Sequence, residues 1–328
     1  MNSKRIKWGI LGTSFISEQI ALAISESSNG ILTAIASRDS TKSKEFAKKF
    51  SVPQAYNSYA DLIADTSLDV IYVGLPNHLH KEWTISCLNA GKHVLCEKPF
   101  ALDEHEVLEM IAVAQTKGLV CMEAIMYRCH PLIQEIKTLL QQKLIGTIEL
   151  FQASYTAPIA HLANPVAGGA IYNLGCYPLS LIQYLTEAKT INLKAFGIPH
   201  SVHPQNDTRA SVILGFDDQS IATITVSDDL AMSWQFVVWG KKGRLEMITN
   251  PWFPTVGDQL FRLYLSDQEE PSEIRLNSPI SAYTYQINTV NTLINNPSIL
   301  LHEQISLQES LNNIKLLKEW RDRVQGIE

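Results

Sequence analysis

The sequence lacks the cysteine pattern of a metal-binding or disulfide-bonded protein. It has five cysteines in 328 residues, an odd number, and none of them form a C-x-x-C pair. Structural zinc sites usually use such pairs, and a disulfide framework needs an even set. The cysteines therefore indicate free thiols in a reducing compartment, and we expect a cytoplasmic protein without a metal site.

Long apolar runs and blocks of basic residues are also missing. The N-terminal residues Met1 to Arg5 lead directly into a strand pattern without the apolar core of a signal peptide, and Glu123 interrupts the apolar stretch Leu119–Tyr127. No segment approaches the roughly 20 apolar residues of a membrane-spanning helix. The formal net charge is −6, without a cluster of Lys and Arg. We therefore expect neither a membrane nor a nucleic acid as a partner.

The composition and length indicate a globular protein with two domains. Hydrophobic residues make up 45% and charged residues 18% of the 328 positions, which fits a large core. In the first third, short apolar segments rich in Ile and Val alternate with amphipathic segments. This alternation predicts a parallel sheet covered on both faces. The predicted strands are Ile6–Leu11, Ile31–Ser37, Val70–Leu75, His93–Glu97 and Leu119–Glu123.

The pattern changes after Met122. A predicted helix, Pro131–Gln141, is followed by strand candidates separated by short turns, which predicts a mostly antiparallel sheet. These strands are Thr147–Tyr155, Leu193–Ile198, Thr208–Phe216, Ser220–Ser227, Trp234–Trp239 and Gly243–Ile248. The sequence thus predicts an α/β fold with one domain in residues 1–122 and a second domain in residues 123–328.

A glycine turn follows the first predicted strand and precedes a helix. Its sequence, Gly12-Thr13-Ser14-Phe15-Ile16-Ser17, occupies the place of the G-x-G-x-x-G motif of dinucleotide-binding domains. Gly12 allows the tight turn, and the helix N-terminus offers amide donors to a pyrophosphate. Ser14 and Ser17 replace two glycines, so an ordinary strand-to-helix turn is the alternative interpretation. We expect cofactor contacts from Gly12, Thr13, Ser14, Phe15 and Ile16.

Ser37-Arg38-Asp39 ends the second predicted strand, where such domains bind the adenosine ribose. An NAD-preferring domain usually places a carboxylate here. Ser37 and Arg38 instead suit a 2′-phosphate, because a guanidinium pairs with phosphate through two hydrogen bonds. Asp39 leaves NAD open, since it is either that carboxylate or a helix N-terminal acid. The pattern favours NADP, with NAD as the alternative.

Two further polar segments follow predicted strands at the edge where open α/β sheets bind ligands. Leu75-Pro76-Asn77 and His80 follow the third strand, and Glu97-Lys98 ends the fourth. We expect these residues to contact the cofactor. The alternatives are a helix-capping Asn77 and a surface ion pair between Glu97 and Lys98.

Several motifs in chain order resemble the Gfo/Idh/MocA oxidoreductases, and most closely the branch of dihydrodiol dehydrogenases and NADP-dependent xylose dehydrogenases. They extend over nearly the whole chain and carry the resemblance as an ordered set. These motifs are Gly9-Ile10-Leu11-Gly12-Thr13, Pro76-Asn77-x-x-His80, Glu97-Lys98-Pro99, Glu123-Ala124-x-Met126-Tyr127-Arg128-x-His130-Pro131 and Gly168-Gly169-Ala170-x-x-Asn173-x-Gly175-Cys176-Tyr177-Pro178.

The resemblance implies an N-terminal Rossmann domain and a C-terminal α/β domain with a large, mostly antiparallel sheet. It also implies that Lys98 and Tyr177 are catalytic, and that a homodimer or higher homo-oligomer forms through the sheet. A tyrosine has a pKa of about 10, and a nearby ammonium favours its phenolate. Tyr177 then takes a proton from a sugar, polyol or cyclic diol while a hydride passes to nicotinamide. Asn173, Tyr177 and Arg128 are the expected substrate contacts.

Asn173 is the departure from the family pattern that bears on catalysis, and Cys129 is a second departure, which bears on packing. Asn173 stands where the family usually has aspartate, and an amide carries no charge with which to hold a lysine or to act as a base. Two other functions therefore stay open on this fold. One is a non-catalytic, nucleotide-sensing regulatory protein, and the other is a hydrolase that uses a tightly bound NAD.

Overall fold

A computed structural model describes residues 4–162, 166, 168–299 and 301–327. The chain divides into two compact units. The first consists of Met1–His130 and Ile280–Leu311, and the second of Pro131–Pro279 and Asn312–Glu328. Relative to the division predicted at residues 122 and 123, the first unit extends to His130 and also includes a segment from the C-terminal part of the chain.

Packing of a late helix explains why the first unit takes in that segment. Asn291, on this helix, accepts a hydrogen bond from the Trp8 indole at 3.0 Å and donates one to Asn29 at 2.9 Å. Trp8 belongs to the first strand of the chain and is fully buried. A contact between residues 283 positions apart leaves no local trace in the sequence.

The first unit contains a parallel sheet of six strands in the order β3-β2-β1-β4-β5-β6. The change of direction at β1 is the topological switch point at which such sheets bind ligands. All five predicted strands are confirmed, and the short β3 was missed. The strands are β1 (Ile6–Leu11), β2 (Gly30–Ala36), β3 (Gln54–Tyr56), β4 (Val70–Val73), β5 (His93–Glu97) and β6 (Cys121–Ala124).

The second unit contains a sheet of eight strands in the order β14-β13-β12-β11-β7-β10-β9-β8. Only β7 and β10 pair in parallel among its strand pairs in the described part of the chain, so the predicted, mostly antiparallel sheet is confirmed. The strands are β7 (Ile148–Thr156), β8 (Thr190–Pro199), β9 (Asp207–Phe216), β10 (Ile221–Ser227), β11 (Ser233–Gly240), β12 (Gly243–Met247), β13 (Gly257–Leu265) and β14 (Ser272–Ser278).

The helices alternate with strands in the first unit and cover one face of the sheet in the second. Helix α7 packs against β7 and β10, and α9 contributes residues to both units. The helices are α1 (Phe15–Glu26), α2 (Ser40–Phe50), α3 (Tyr59–Ala64), α4 (His80–Asn89), α5 (Glu104–Lys117), α6 (Pro131–Gln141), α7 (Cys176–Leu185), α8 (Ala282–Asn295) and α9 (Leu307–Gln325).

Alternation along the strands separates the two faces of the eight-stranded sheet. Val212, Leu214 and Ile224 are buried on the face that the chain covers itself. Ile213 and Ile221 point to the opposite face and are about half exposed, because successive strand residues project to opposite sides. This second face of the sheet, called here the open face, is apolar in part.

Two features that would indicate other functions are missing from residues 4–162, 166, 168–299 and 301–327. None of the helices there is both long and apolar enough to cross a membrane. Within the same ranges, no cluster of three or more His, Cys, Asp or Glu side chains has the arrangement of a metal site.

Candidate active site

The glycine turn after β1 leaves no room for a side chain. Gly12 has a φ of +94°, and its N–H donates to the carbonyl oxygen of Ala36 at 2.9 Å. A Cβ at this position would lie 2.6 Å from the carbonyl oxygen of Gly74, which follows β4. The turn therefore requires glycine for its backbone conformation and for its close approach to β4.

Ser14 and Ser17 form a capping box at the start of α1. The Ser14 hydroxyl accepts a hydrogen bond from Ser17 N–H at 3.2 Å, and the Ser17 hydroxyl accepts one from Ser14 N–H at 3.3 Å. Ser17 is fully buried, and a Cβ on Gly74 would lie 2.9 Å from its hydroxyl oxygen. The missing third glycine of the motif is thus matched by Gly74, which follows the neighbouring strand β4 and which the sequence analysis overlooked.

The N-terminal end of α1 is accessible and fits a pyrophosphate. Ser14 is exposed, Thr13 and Ile16 are half-buried, and the Phe15 ring is 68% exposed. The first amides of an α-helix have no intrahelical acceptor. Because Ser14 caps the amide of Ser17, those of Phe15 and Ile16 are available for an anion at the positive end of the helix dipole.

The segment after β2 assigns Asp39 to helix capping. Its carboxylate accepts hydrogen bonds from the amides of Thr41 at 2.9 Å and Lys42 at 3.3 Å, at the N-terminus of α2. Ser37 is buried, and its hydroxyl accepts a hydrogen bond from Asp39 N–H at 3.2 Å. Arg38 is exposed at this edge. The arrangement favours the helix-terminal interpretation of Asp39.

His80 links the segments that follow β4 and β5. Its Nε2 lies 2.8 Å from the carbonyl oxygen of Leu75, and its Nδ1 lies 2.9 Å from that of Pro99. Burial lowers the pKa of His80 to about 4, while the hydrogen bonds to the two carbonyl oxygens oppose this shift. Pro76 is exposed, and the Asn77 side chain accepts a hydrogen bond from His78 N–H at 3.1 Å. His80 is buried beneath this loop and holds it in place.

Glu97 is fixed at the end of β5 by two hydrogen bonds. Its Oε1 accepts from the Tyr72 hydroxyl at 2.7 Å, and its Oε2 accepts from Lys98 N–H at 3.2 Å. Burial raises the pKa of Glu97, while the Lys98 ammonium opposes this rise. Lys98 itself is half-buried, and the bond between Lys98 and Pro99 is cis.

Glu123, on β6, is a buried acid that the sequence analysis did not include among the site residues. It is 1% exposed, and its Oε1 accepts a hydrogen bond from Phe100 N–H at 2.9 Å. Burial raises the pKa of Glu123 to about 7. The available sequence signal was a single carboxylate near the end of an apolar strand, beside the end of β5.

In the second unit, Tyr177 lies in the first turn of α7. Its ring is buried and meets the Tyr155 ring edge-on, with 5.5 Å between centroids. A π-helical turn, Ile171–Gly175, precedes α7 and carries the half-buried Asn173. Such turns occur often at functional sites.

Asp207 holds the start of that π-helical turn. Its Oδ2 accepts a hydrogen bond from Ile171 N–H at 2.7 Å. Gly169 has a φ of +105°, and a Cβ there would lie 2.8 Å from Asp207 Oδ1. Burial raises the pKa of Asp207 to about 6. The segment that leads to Asn173 and Tyr177 is therefore closely packed on β9.

Arg128, in the first unit, is 1% exposed and forms an ion pair with Glu309 at 3.0 Å. Burial acts to raise the pKa of Glu309, but Arg128 and the hydrogen bonds from Ser306 outweigh it and lower the pKa. The guanidinium thus has a protein partner.

The structure brings most of the predicted cofactor residues to one edge of the first sheet. The segments beginning at Gly12, Gly74 and Lys98 follow the adjacent strands β1, β4 and β5, and Arg38 follows β2 on the other side of β1. Asn173 and Tyr177 belong to the second unit.

Comparison with known proteins gives two family matches. Residues 6–125 match the oxidoreductase family with an NAD-binding Rossmann fold, GFO_IDH_MocA, and residues 133–246 match the GFO/IDH/MocA C-terminal domain. Trans-1,2-dihydrobenzene-1,2-diol dehydrogenase of Xenopus laevis is 34% identical over 256 residues, which cover 76% of this chain and 77% of that protein.

Solved structures share the whole architecture. KijD10, a 3-ketoreductase from Actinomadura kijaniata in complex with TDP-benzene and NADP, superimposes with a TM-score of 0.85 at 26% identity, over 98% of this chain and 97% of that one. The aldose-aldose oxidoreductase of Caulobacter crescentus shares the fold, with a TM-score of 0.86 at 20% identity over 99% of each chain.

Proposed function

This chain belongs to the Gfo/Idh/MocA family of NAD(P)-dependent oxidoreductases, as its motifs indicated, and from this premise we propose its reaction. The protein transfers a hydride between the nicotinamide of NADP(H) and the carbinol or carbonyl carbon of a sugar, polyol or cyclic diol. The observation that carries the proposal is the position of Lys98, which is fixed at the same sheet edge as the glycine turn.

The proposed cofactor is NADP. Arg38 is exposed after β2, and Asp39 is engaged by the amides of α2, so the arginine is the group available to a 2′-phosphate. The similar ketoreductase KijD10 was crystallised with NADP. The residues proposed to bind the cofactor are Gly12, Thr13, Ser14, Phe15, Ile16, Ser37, Arg38, Leu75, Pro76, Asn77, His80, Glu97 and Lys98.

The proposed chemistry divides between the cofactor and the side chains. The nicotinamide accepts or delivers the hydride when it is bound. Tyr177 exchanges the proton of the substrate hydroxyl, and Lys98 supplies a positive charge where the substrate oxygen becomes negative. Asn173 donates a hydrogen bond to a second hydroxyl of the substrate or accepts one from it. Arg128, whose buried guanidinium is paired with Glu309, is proposed to contribute to the substrate site.

The substrate class follows from the relatives and from the surroundings of Tyr177. The relative from Xenopus laevis is named as a dehydrogenase of a cyclic diol, and KijD10 as a 3-ketoreductase. In this chain, the Tyr155 ring lies 5.5 Å from the Tyr177 ring and 6.1 Å from the Trp252 ring, measured between centroids. Aromatic walls of this kind suit the apolar faces of ring-shaped substrates.

The test is a panel of aldoses, polyols and cyclic diols with NADP and NAD, followed by reduced-cofactor absorbance. We expect Lys98→Ala and Tyr177→Phe to bind NADPH normally and to lose hydride transfer. Matched controls are Lys81→Ala on α4, where the lysine forms a surface ion pair with Glu109 on α5, and Tyr184→Phe on α7, where the hydroxyl donates to Gln134 on α6. Unchanged turnover in both site variants would refute the assignment. NADPH binding without turnover on any substrate would favour the regulatory alternative.

We also propose that the second domain forms a homodimer through the open face of its sheet. Phe196 is 74% exposed there, and Ile213, Ile221 and Trp239 are exposed on the same face. Burying such residues in a second copy gives roughly 25 cal/mol per Å² of apolar surface. Light scattering should give twice the chain mass, and Phe196→Glu should give the monomer. A wild-type monomer would refute this arrangement.

The domain roles and the location complete the proposal. Residues 1–122 are proposed to bind the dinucleotide and residues 123–328 the substrate and the partner subunit. A cytoplasmic location is supported by the five cysteines, which are buried thiols without disulfide bonds, and cell fractionation tests it.

A further inference from the structure

The segment Lys98-Pro99-Phe100, which contains the site lysine, is held through its main chain by three side chains. Lys98 N–H donates to Glu97 at 3.2 Å, the Pro99 carbonyl faces His80 at 2.9 Å, and Phe100 N–H donates to Glu123 at 2.9 Å. These side chains come from β5, α4 and β6, respectively. Three separate elements thus fix one short segment.

Of these three side chains, Glu123 is the one whose presence in the sheet needs an explanation. Its neighbours on β6 are apolar or small, and all four strand residues are buried. The buried Ser310 hydroxyl also interacts with this carboxyl and acts to lower its pKa, against the rise that burial causes. A buried carboxyl with few polar partners is less stable than an apolar side chain of similar size. A carboxyl in this place therefore points to a function rather than to stability.

We propose that Glu123 is a positioning residue for Lys98, acting through its hydrogen bond from Phe100 N–H. The proposal rests on the proposed function, because it treats Lys98 as the site lysine. Phe100 is fully buried and lies two residues after Lys98, so a shift of its amide moves the main chain from which the lysine projects. The hydrogen bond to Glu123 on β6 thus connects the segment that contains Lys98 to the sheet.

The acceptor can be removed and restored by substitution. Glu123→Leu fills the space without an acceptor, and Glu123→Gln keeps an oxygen for Phe100 N–H without the charge. We expect Phe100 amide exchange, resolved by NMR, to become about tenfold faster or more in Glu123→Leu, the effect of losing a hydrogen bond to a charged group. Glu123→Gln should stay close to wild type.

Activity provides the second measurement. We expect kcat to fall about tenfold to hundredfold in Glu123→Leu, as for a misplaced catalytic group, with the NADPH dissociation constant and the substrate KM unchanged. Glu123→Gln should recover most of kcat. Glu106→Leu is the matched control, since Glu106 accepts a hydrogen bond from Leu102 N–H at 2.9 Å further along the same segment. That variant should keep the wild-type kcat.

Several outcomes would overturn the inference. They are unchanged Phe100 exchange in Glu123→Leu, a loss of kcat as large in Glu123→Gln as in Glu123→Leu, or an equal loss in the Glu106 control. Glu123→Asp, which withdraws the acceptor and retains the carboxyl, replaces Glu123→Leu if the latter does not fold. A wild-type chain without turnover would refute the proposed function alone, because amide exchange still measures the contact at Phe100.

Discussion

Replacing Gly12 with alanine tests whether the turn after β1 binds the dinucleotide. The added Cβ would lie 2.6 Å from the Gly74 carbonyl oxygen, about 0.8 Å inside the 3.4 Å at which ordinary contact begins. Both partners belong to the main chain, so a rotamer change cannot relieve the overlap. The turn must move away from β4, and the N-terminus of α1 moves with it.

The cost has two parts that a control variant separates. Alanine at a φ of +94° costs about 1–2 kcal/mol of backbone strain, partly offset by about 0.4–1 kcal/mol from the less flexible unfolded chain. Gly118 has a φ of +62° and no atom within 4 Å of its added Cβ. Gly118→Ala therefore introduces the backbone strain but no steric overlap with a neighbouring atom.

The assay combines urea unfolding with NADPH binding by fluorescence. Gly118→Ala should lose about 1 kcal/mol of unfolding free energy and bind NADPH normally. Gly12→Ala should lose more stability and bind NADPH about a hundredfold more weakly, because displacement of a binding group by about 1 Å has effects of this size. Normal NADPH binding in a folded Gly12→Ala variant would refute the assignment of this turn to the cofactor.

Three further predictions concern single side chains. Arg38→Ala should weaken NADP binding about tenfold to hundredfold and leave NAD binding unchanged, since it removes charge-assisted hydrogen bonds to the 2′-phosphate; equal effects on both cofactors in titrations would contradict this. Asn173→Asp should raise kcat about tenfold if charge at this position aids the reaction, and a lower kcat in steady-state assays would argue against that role. Glu123 should make the free energy of unfolding fall by roughly 3 kcal/mol as the pH rises from about 4.5 to above 7. Its pKa in the folded state is raised to about 7, so the folded state binds more protons than the unfolded state in this range. Glu97 and Lys98 are the charged groups beside it, and urea unfolding of Glu123→Gln should lack this part of the slope.

The sequence predicted the edge of the first sheet because parallel strands bring their ends together. Gly12, Asn77 and Lys98 each follow an apolar strand, so the β-α alternation was enough to place them on one edge. Strands β3, β13 and β14 escaped prediction, although β13 alternates buried with half-buried residues. Strand β3 has only three residues, and β14 is an exposed edge strand with few apolar residues. Hydrophobic alternation is weak in such segments.

The supporting contacts could not be predicted, because they join residues far apart in the chain. Glu123 meets Phe100 across 23 positions, and Asp207 meets Ile171 across 36. In the sequence, each carboxylate appears only as an isolated polar residue in or beside a predicted strand. Their partners are main-chain amides, which have no sequence signature. The residues that position a site are in this respect harder to find than the residues that occupy it.

The glycine motif shows that the segment facing it determines which side chains the motif can contain. The third glycine of G-x-G-x-x-G normally allows α1 to approach the sheet, and a serine there suggests a poorer fit. In this chain Ser17 faces Gly74, where a Cβ would meet its hydroxyl oxygen at 2.9 Å. Because Gly74 has no side chain, it leaves room for the Ser17 hydroxyl, which also completes the cap of α1. The two serines are therefore compatible with a bound dinucleotide, since the requirement is the separation between α1 and the sheet rather than a glycine at a fixed position.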